Sequence, residues 1–117
     1  MGMSSRLVIQ DQKITHYLLI FQEKDDKSQF LANFGYTLQN WERLKTDILH
    51  FVPGSEMFFT VDTAWGSRFK VRSQWRGANG RSLAVVTIWQ EDRDADVLRF
   101  VTLYPDKSIN SMFEVRE

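Results

Sequence analysis

The chain has 117 residues, which fits one domain over residues 1–117 and lets roughly two-thirds of the unfolded surface be buried without covalent staples. Its 43% apolar and 14% aromatic content excludes a disordered chain, and the lack of cysteine excludes disulfide and thiolate chemistry. Fifteen basic residues balance fifteen acidic ones, so net charge alone does not draw this chain to nucleic acid, although a local basic face remains open to it.

Met1 to Ser5 lack the basic and apolar blocks of a signal peptide, and no apolar run approaches the ~18 residues of a membrane span. The expectation is a cytoplasmic protein with no membrane partner. Leu7-Val8-Ile9 reads as a short strand or an extended lead-in. Thr15 then stands as N-cap to one or two helical turns across His16 to Phe21. After the polar Glu23 to Asp26, Asp26 with Gln29 three residues on reads as a capping box. Phe30, Leu31 and Phe34 form a helical stripe that Gly35 stops, which predicts a helix over 27–34. Thr37 caps the next helix, where Trp41, Leu44, Ile48, Leu49 and Phe51 recur at three- and four-residue intervals. Glu42 to Asp47 supply most of its polar face, and Pro53-Gly54 ends it.

Beyond Gly54 the period of the pattern falls from 3.6 to 2. Strands are predicted over Met57–Thr63, Ser67–Arg76, Ser82–Gln90 and Val97–Tyr104, with Met112–Val115 as a further edge. They are separated by a Trp65-Gly66 turn, a Gly77-Ala78-Asn79-Gly80 hairpin and a charged Glu91–Asp96 turn. The fold class is therefore α+β, with two to three N-terminal helices packed on one side of a C-terminal antiparallel β-meander of four to five strands.

The strand Ser67–Arg76 carries the most informative pattern. Side chains at i and i+2 share a face, so Arg68, Lys70, Arg72 and Arg76 line one side while Phe69, Val71 and Trp75 line the other. Such a cationic stripe fits an RNA phosphate backbone; the plain alternative is a solvated strand face. Arg81 follows a tight turn and offers a planar fork of donors, or simply a solvated hairpin tip. Lys27 opposes the dipole at a helix start, a mildly unfavourable place that hints at another use. His16 and His50 are the histidines available as general base; His50 is also explained by the dipole of a last helical turn and His16 by exposure. Glu91, Asp92, Asp94 and Asp96 match no calcium loop, and no metal-ligand spacing or phosphate-binding glycine loop occurs, so no cofactor is expected.

These residues resemble a small uncharacterised bacterial domain family, found free-standing and at the C-termini of polymorphic-toxin-like proteins. The likeness runs from about Lys13 to Pro105. It is carried by Tyr17-Leu18-Leu19, Lys27, Phe30, Gly35-Tyr36, Gly66, Phe69, Val71, Asn79-Gly80-Arg81, Trp89 and the run Arg99 to Pro105. His16 stands where the family pattern often has an acidic residue. The layout is also similar to the RelE/barnase/EndoU-like ribonuclease toxins. The resemblance implies a metal-independent ribonuclease toxin of a bacterial toxin–antitoxin or related system, with RNA as substrate and a cognate antitoxin as partner. In that reading Lys27, Arg81 and Arg99 stabilise transition-state charge, Thr102 and Tyr17 are hydrogen-bonding partners, and His16 is the candidate base. The alternative is a noncatalytic protein-interaction or nucleic-acid-binding module. Convergence of Lys27, Arg81, Arg99 and Thr102 would favour the enzyme, and scattering would favour the module.

Overall fold

The computed structural model describes residues 6–24, 26–64, 66–92 and 97–107, with side chains outside 57–63. The expected edge strand Met112–Val115 lies outside the described residues. The architecture is α+β. Strand β1 (Arg6–Val8) leads into helix α1 (Asp11–Lys13), which continues as a π-helical turn over Ile14–Leu18. Helix α2 spans Ser28–Ala32. Helix α3 (Trp41–Phe51) is preceded by a 3₁₀ turn, Leu38–Asn40, and followed by another, Val52–Gly54. Strands β2 (Glu56–Thr63), β3 (Gly66–Arg76), β4 (Ser82–Asp92) and β5 (Val97–Pro105) follow among the described residues.

The sheet order is β1-β5-β4-β3-β2. β2 to β5 form the expected antiparallel meander, but β1 pairs in parallel with β5, Leu7 opposite Leu98. The sheet is therefore mixed rather than purely antiparallel. The physical reason is that β5 would otherwise present an open row of backbone donors and acceptors, and the apolar Leu7-Val8 segment covers part of it.

The predicted alternation holds in β3. Val71 and Trp75 are buried and Phe69 packs against the core, while Arg68, Arg72 and Arg76 are exposed and Lys70 is half-buried. Register carries the alternation across the ladder, because Val71 lies opposite Thr87, Phe69 opposite Trp89 and Trp75 opposite Leu83. The helices cover this apolar face with Ile14, Leu18, Leu31, Leu44, Ile48 and Val52, all fully buried. Each such side chain stabilises the fold by ~1.5–3 kcal/mol relative to exposure.

Three local readings change. Thr15 is no cap: the helix starts at Asp11, and the Thr15 hydroxyl donates back to the Asp11 carbonyl at 3.1 Å. The helix ends at Leu18, leaving Phe21 64% exposed. α2 is shorter than 27–34 and Lys27, not Asp26, is its N-cap; the Asp26 carboxylate, one residue earlier, still accepts from the Ser28 and Gln29 N–H groups, and Gly35, at φ +88°, does stop the helix. Asp47 leaves the polar face of α3 and turns inward. There its carboxylate accepts from the Tyr36 hydroxyl at 2.5 Å and from Arg43 Nε at 3.0 Å, while Trp75 Nε1 donates to the Tyr36 oxygen at 2.9 Å. Burial, and then the bond to Asp47, push the Tyr36 phenol above its ordinary range, so it stays a donor. No helix of the described residues is long and apolar enough to cross a membrane.

Candidate functional site

The face of the sheet away from this core carries Arg68, Lys70, Arg72 and Arg76 on β3 and Thr102 and Tyr104 on β5, with Ile88 and Val86 of β4 between them. Where the chain leaves the π-helical turn and enters α2, it brings Lys27 to the β5 side of this face. Lys27 takes the position before the first helical residue rather than the first turn itself.

The Lys27 ammonium donates to the Tyr17 hydroxyl at 3.2 Å and to the Thr102 hydroxyl at 3.4 Å, and lies 5.3 Å from the centre of the Tyr17 ring. These partners are neutral. Among the described residues no carboxylate lies within ion-pair distance of Lys27. The hydroxyls orient the ammonium without cancelling its charge, and one of its three N–H groups remains for a further acceptor.

A cleft of about 580 Å³ opens beside this contact. Its cations are Lys27, Lys70, Arg72 and Lys107, its carboxylates Asp26 and Asp106, and its floor Val86, Tyr104 and Pro105. Four cations against two carboxylates leave two positive charges in excess. Neither carboxylate projects as an isolated negative charge. Asp106 is 4% exposed and lies 3.9 Å from Arg72 Nε. Asp26 accepts from Ser28 Oγ at 2.8 Å and from the backbone N–H groups of Gln22, Ser28 and Gln29. Loss of solvent alone would raise the Asp26 pKa; those hydrogen bonds outweigh it and hold the carboxyl below its ordinary value of 3.8. The cleft therefore suits an anion with an apolar or aromatic part above Tyr104.

A second concavity, of about 560 Å³, adjoins the first across Tyr17 and Thr102 and reaches His16, Lys13, Gln10 and Gln12. The π-helical turn that carries His16 and Tyr17 is a rare helical form often found at functional sites. His16 Nδ1 meets Thr15 Oγ1 at 3.1 Å.

Of the residues singled out from sequence, Lys27, Tyr17 and Thr102 converge, with Lys70 and Arg72 across the cleft and His16 in the adjoining concavity. Arg81 and Arg99 line neither concavity. Arg81 Nη1 donates to the Asn33 carbonyl at 3.0 Å, and its guanidinium lies 5.4 Å from the Phe34 ring centre. Its work is to dock the β3–β4 hairpin on the end of α2, where α2's last carbonyls need donors. Arg99 pairs with Asp92 at 3.1 Å. Arg68 donates to Gln90 at 3.1 Å and Arg76 to the Gly80 carbonyl at 3.1 Å, so the stripe divides and only its middle faces the cleft. His50 stays at the end of α3 against Phe51, away from both concavities. Tyr104, Lys107, Asp26 and Asp106 were not legible as site residues. Tyr104 alternates in phase with Thr102 and lies in the run Arg99 to Pro105 that carries the resemblance, and those are the signals the sequence offers for it.

Among the described residues no group of three His, Asp or Glu side chains is gathered as for a metal. A family model described as "Domain of unknown function (DUF6883)" matches residues 2–107. No curated protein and no solved structure matches the chain.

Proposed function

Since the chain belongs to the DUF6883 family, whose description carries no activity, function has to be argued from its own residues, and we propose that it is a metal-independent ribonuclease acting as the toxin of a bacterial toxin–antitoxin or related system. The observation that carries the reading is the Lys27 ammonium, oriented by two neutral hydroxyls at the wall of a cationic cleft. In this proposal Lys27 donates to a non-bridging oxygen of one phosphodiester, Lys70 and Arg72 hold the strand, and a base lies against Tyr104. Cleavage is attack by the 2′-oxygen on the adjacent phosphorus with expulsion of the 5′-oxygen, leaving a 2′,3′-cyclic phosphate and a 5′-hydroxyl. His16 receives the 2′-hydroxyl proton, the departing 5′-oxygen takes a proton from a water molecule, whose hydroxide then recovers the proton held by His16, and Lys27 offsets the charge that grows on the phosphoryl oxygens. The cytoplasmic setting and a cognate antitoxin belong to the same proposal.

A second reading, RNA binding without cleavage, is favoured by one observation: no histidine lines the cleft that holds Lys27. Incubating purified protein with RNA in excess chelator separates the two. Cyclic-phosphate ends that vanish in Lys27→Met support the nuclease. Bound but intact RNA supports the second reading, and neither binding nor cleavage removes both.

A further inference from the structure

Resting on the RNA reading, we infer that the concavity reaching His16, Lys13, Gln10 and Gln12 is a second nucleotide subsite, so the ligand is a single strand of at least two nucleotides that crosses Lys27. The two concavities are nearly equal, about 560 and 580 Å³, and both fall in the range of ~300–1,000 Å³ that holds small ligands. They are separated by one contact, the Lys27 ammonium on Tyr17 and Thr102, and Tyr17 and Thr102 belong to the lining of the second. A phosphate at Lys27 thus has room for a nucleoside on either side.

The chemistry of the two halves differs. The first gathers cations over Val86 and Tyr104, suited to backbone and stacking. The second presents the amides of Gln10 and Gln12, which both donate and accept and so fit base edges, with Lys13 as its ammonium. In RNA the Watson–Crick edges are open to such contacts when the strand is unpaired, which makes single-stranded RNA the ligand class.

The test is binding of the full chain to 2′-O-methylated, 5′-phosphorylated, sequence-randomised oligonucleotides one to four nucleotides long, which cannot be cleaved. Affinity should rise at least about tenfold between one and two or three nucleotides, the scale of one ordered base. Lys13→Ala and Gln12→Ala, both surface changes, should remove that rise and leave the mononucleotide affinity unaltered. Lys70→Ala should weaken every length. Equal affinity at all lengths, or a Lys13→Ala loss that is the same for one nucleotide as for three, overturns the second subsite while the RNA reading stands. No binding at any length overturns both.

Discussion

The ammonium of Lys27 sits 3.2 Å from the hydroxyl of Tyr17, with no carboxylate of the described residues within ion-pair distance. A lysine whose charge serves only the fold would be expected to face a carboxylate or open water. Lys27→Met keeps much of the aliphatic stem and removes the charge. RNA cleavage should fall by ~10²–10³, the usual loss when a preorganised transition-state donor is removed. The melting temperature should change little, because the Tyr17 and Thr102 hydroxyls can turn to water. Growth arrest on expression in bacteria should disappear in the same variant.

The divided stripe on β3 gives a second expectation. RNA affinity plotted against salt should lose ~0.7–1 of its logarithmic slope on Lys70→Ala and a similar amount on Arg72→Ala, one phosphate contact each. Arg99→Ala should leave the slope unchanged, since that guanidinium is engaged by Asp92 away from the cleft. Titration at several ionic strengths measures all three.

The strands were legible because period-2 alternation is set by burial, and β3 obeys it at Val71 and Trp75. Two of the four residues proposed to converge, Arg81 and Arg99, did not reveal their partners in the sequence. Arg81 looked like a phosphate fork because its sequence context is a turn; the end of α2, which supplies its acceptor at Asn33, is 48 positions away. Arg99 lies only seven positions from Asp92, but the β4–β5 register that brings the two side chains together is not fixed by the sequence pattern. Lys27 stands out by its awkward place at a helix start and by the family resemblance, which also brings in Tyr17 and Thr102, the two hydroxyls it meets. The parallel partner of β5 escaped because a three-residue strand has too few positions to show alternation.

The hairpin dock predicts stability effects separate from function. Gly35 holds φ +88°, and a Cβ there would lie 2.7 Å from the Asn79 backbone nitrogen. Gly35→Ala should therefore cost more than the ~1–2 kcal/mol of the left-handed conformation alone. Arg81→Ala should cost about 0.5–1.5 kcal/mol, one hydrogen bond, while the folded variant keeps its RNA affinity. Urea unfolding midpoints and binding curves together decide this.

Tyr36→Phe removes a hydroxyl that donates to buried Asp47 and accepts from Trp75. Leaving those groups without their partner should cost ~1–3 kcal/mol by urea unfolding. Trp75 fluorescence should shift in the folded state.

The Asp26 carboxyl is held below its ordinary value of 3.8 in the folded chain. Its contribution to stability is thus fully present above that value and is lost as pH falls through the lower folded value. Asp26→Asn should be less stable than the parent at neutral pH, and the gap should close in acid below about pH 4. Urea midpoints measured from pH 7 down to the acid limit provide the comparison.

Lys27 and Thr102 are 75 positions apart, and Arg6–Val8 pairs with Val97–Arg99. During translation the ammonium leaves the ribosome long before its threonine partner, so the cationic wall and the floor at Tyr104 come together only once β5 has emerged. Contacts of such long sequence separation also form slowly. A nascent chain that lacks β5 therefore carries scattered lysines rather than a finished cleft, and under the proposed nuclease reading any cleavage waits until β5 has been made. A partner able to occupy the vacant edge of β4 before β5 arrives would meet the chain before its cleft had ever formed.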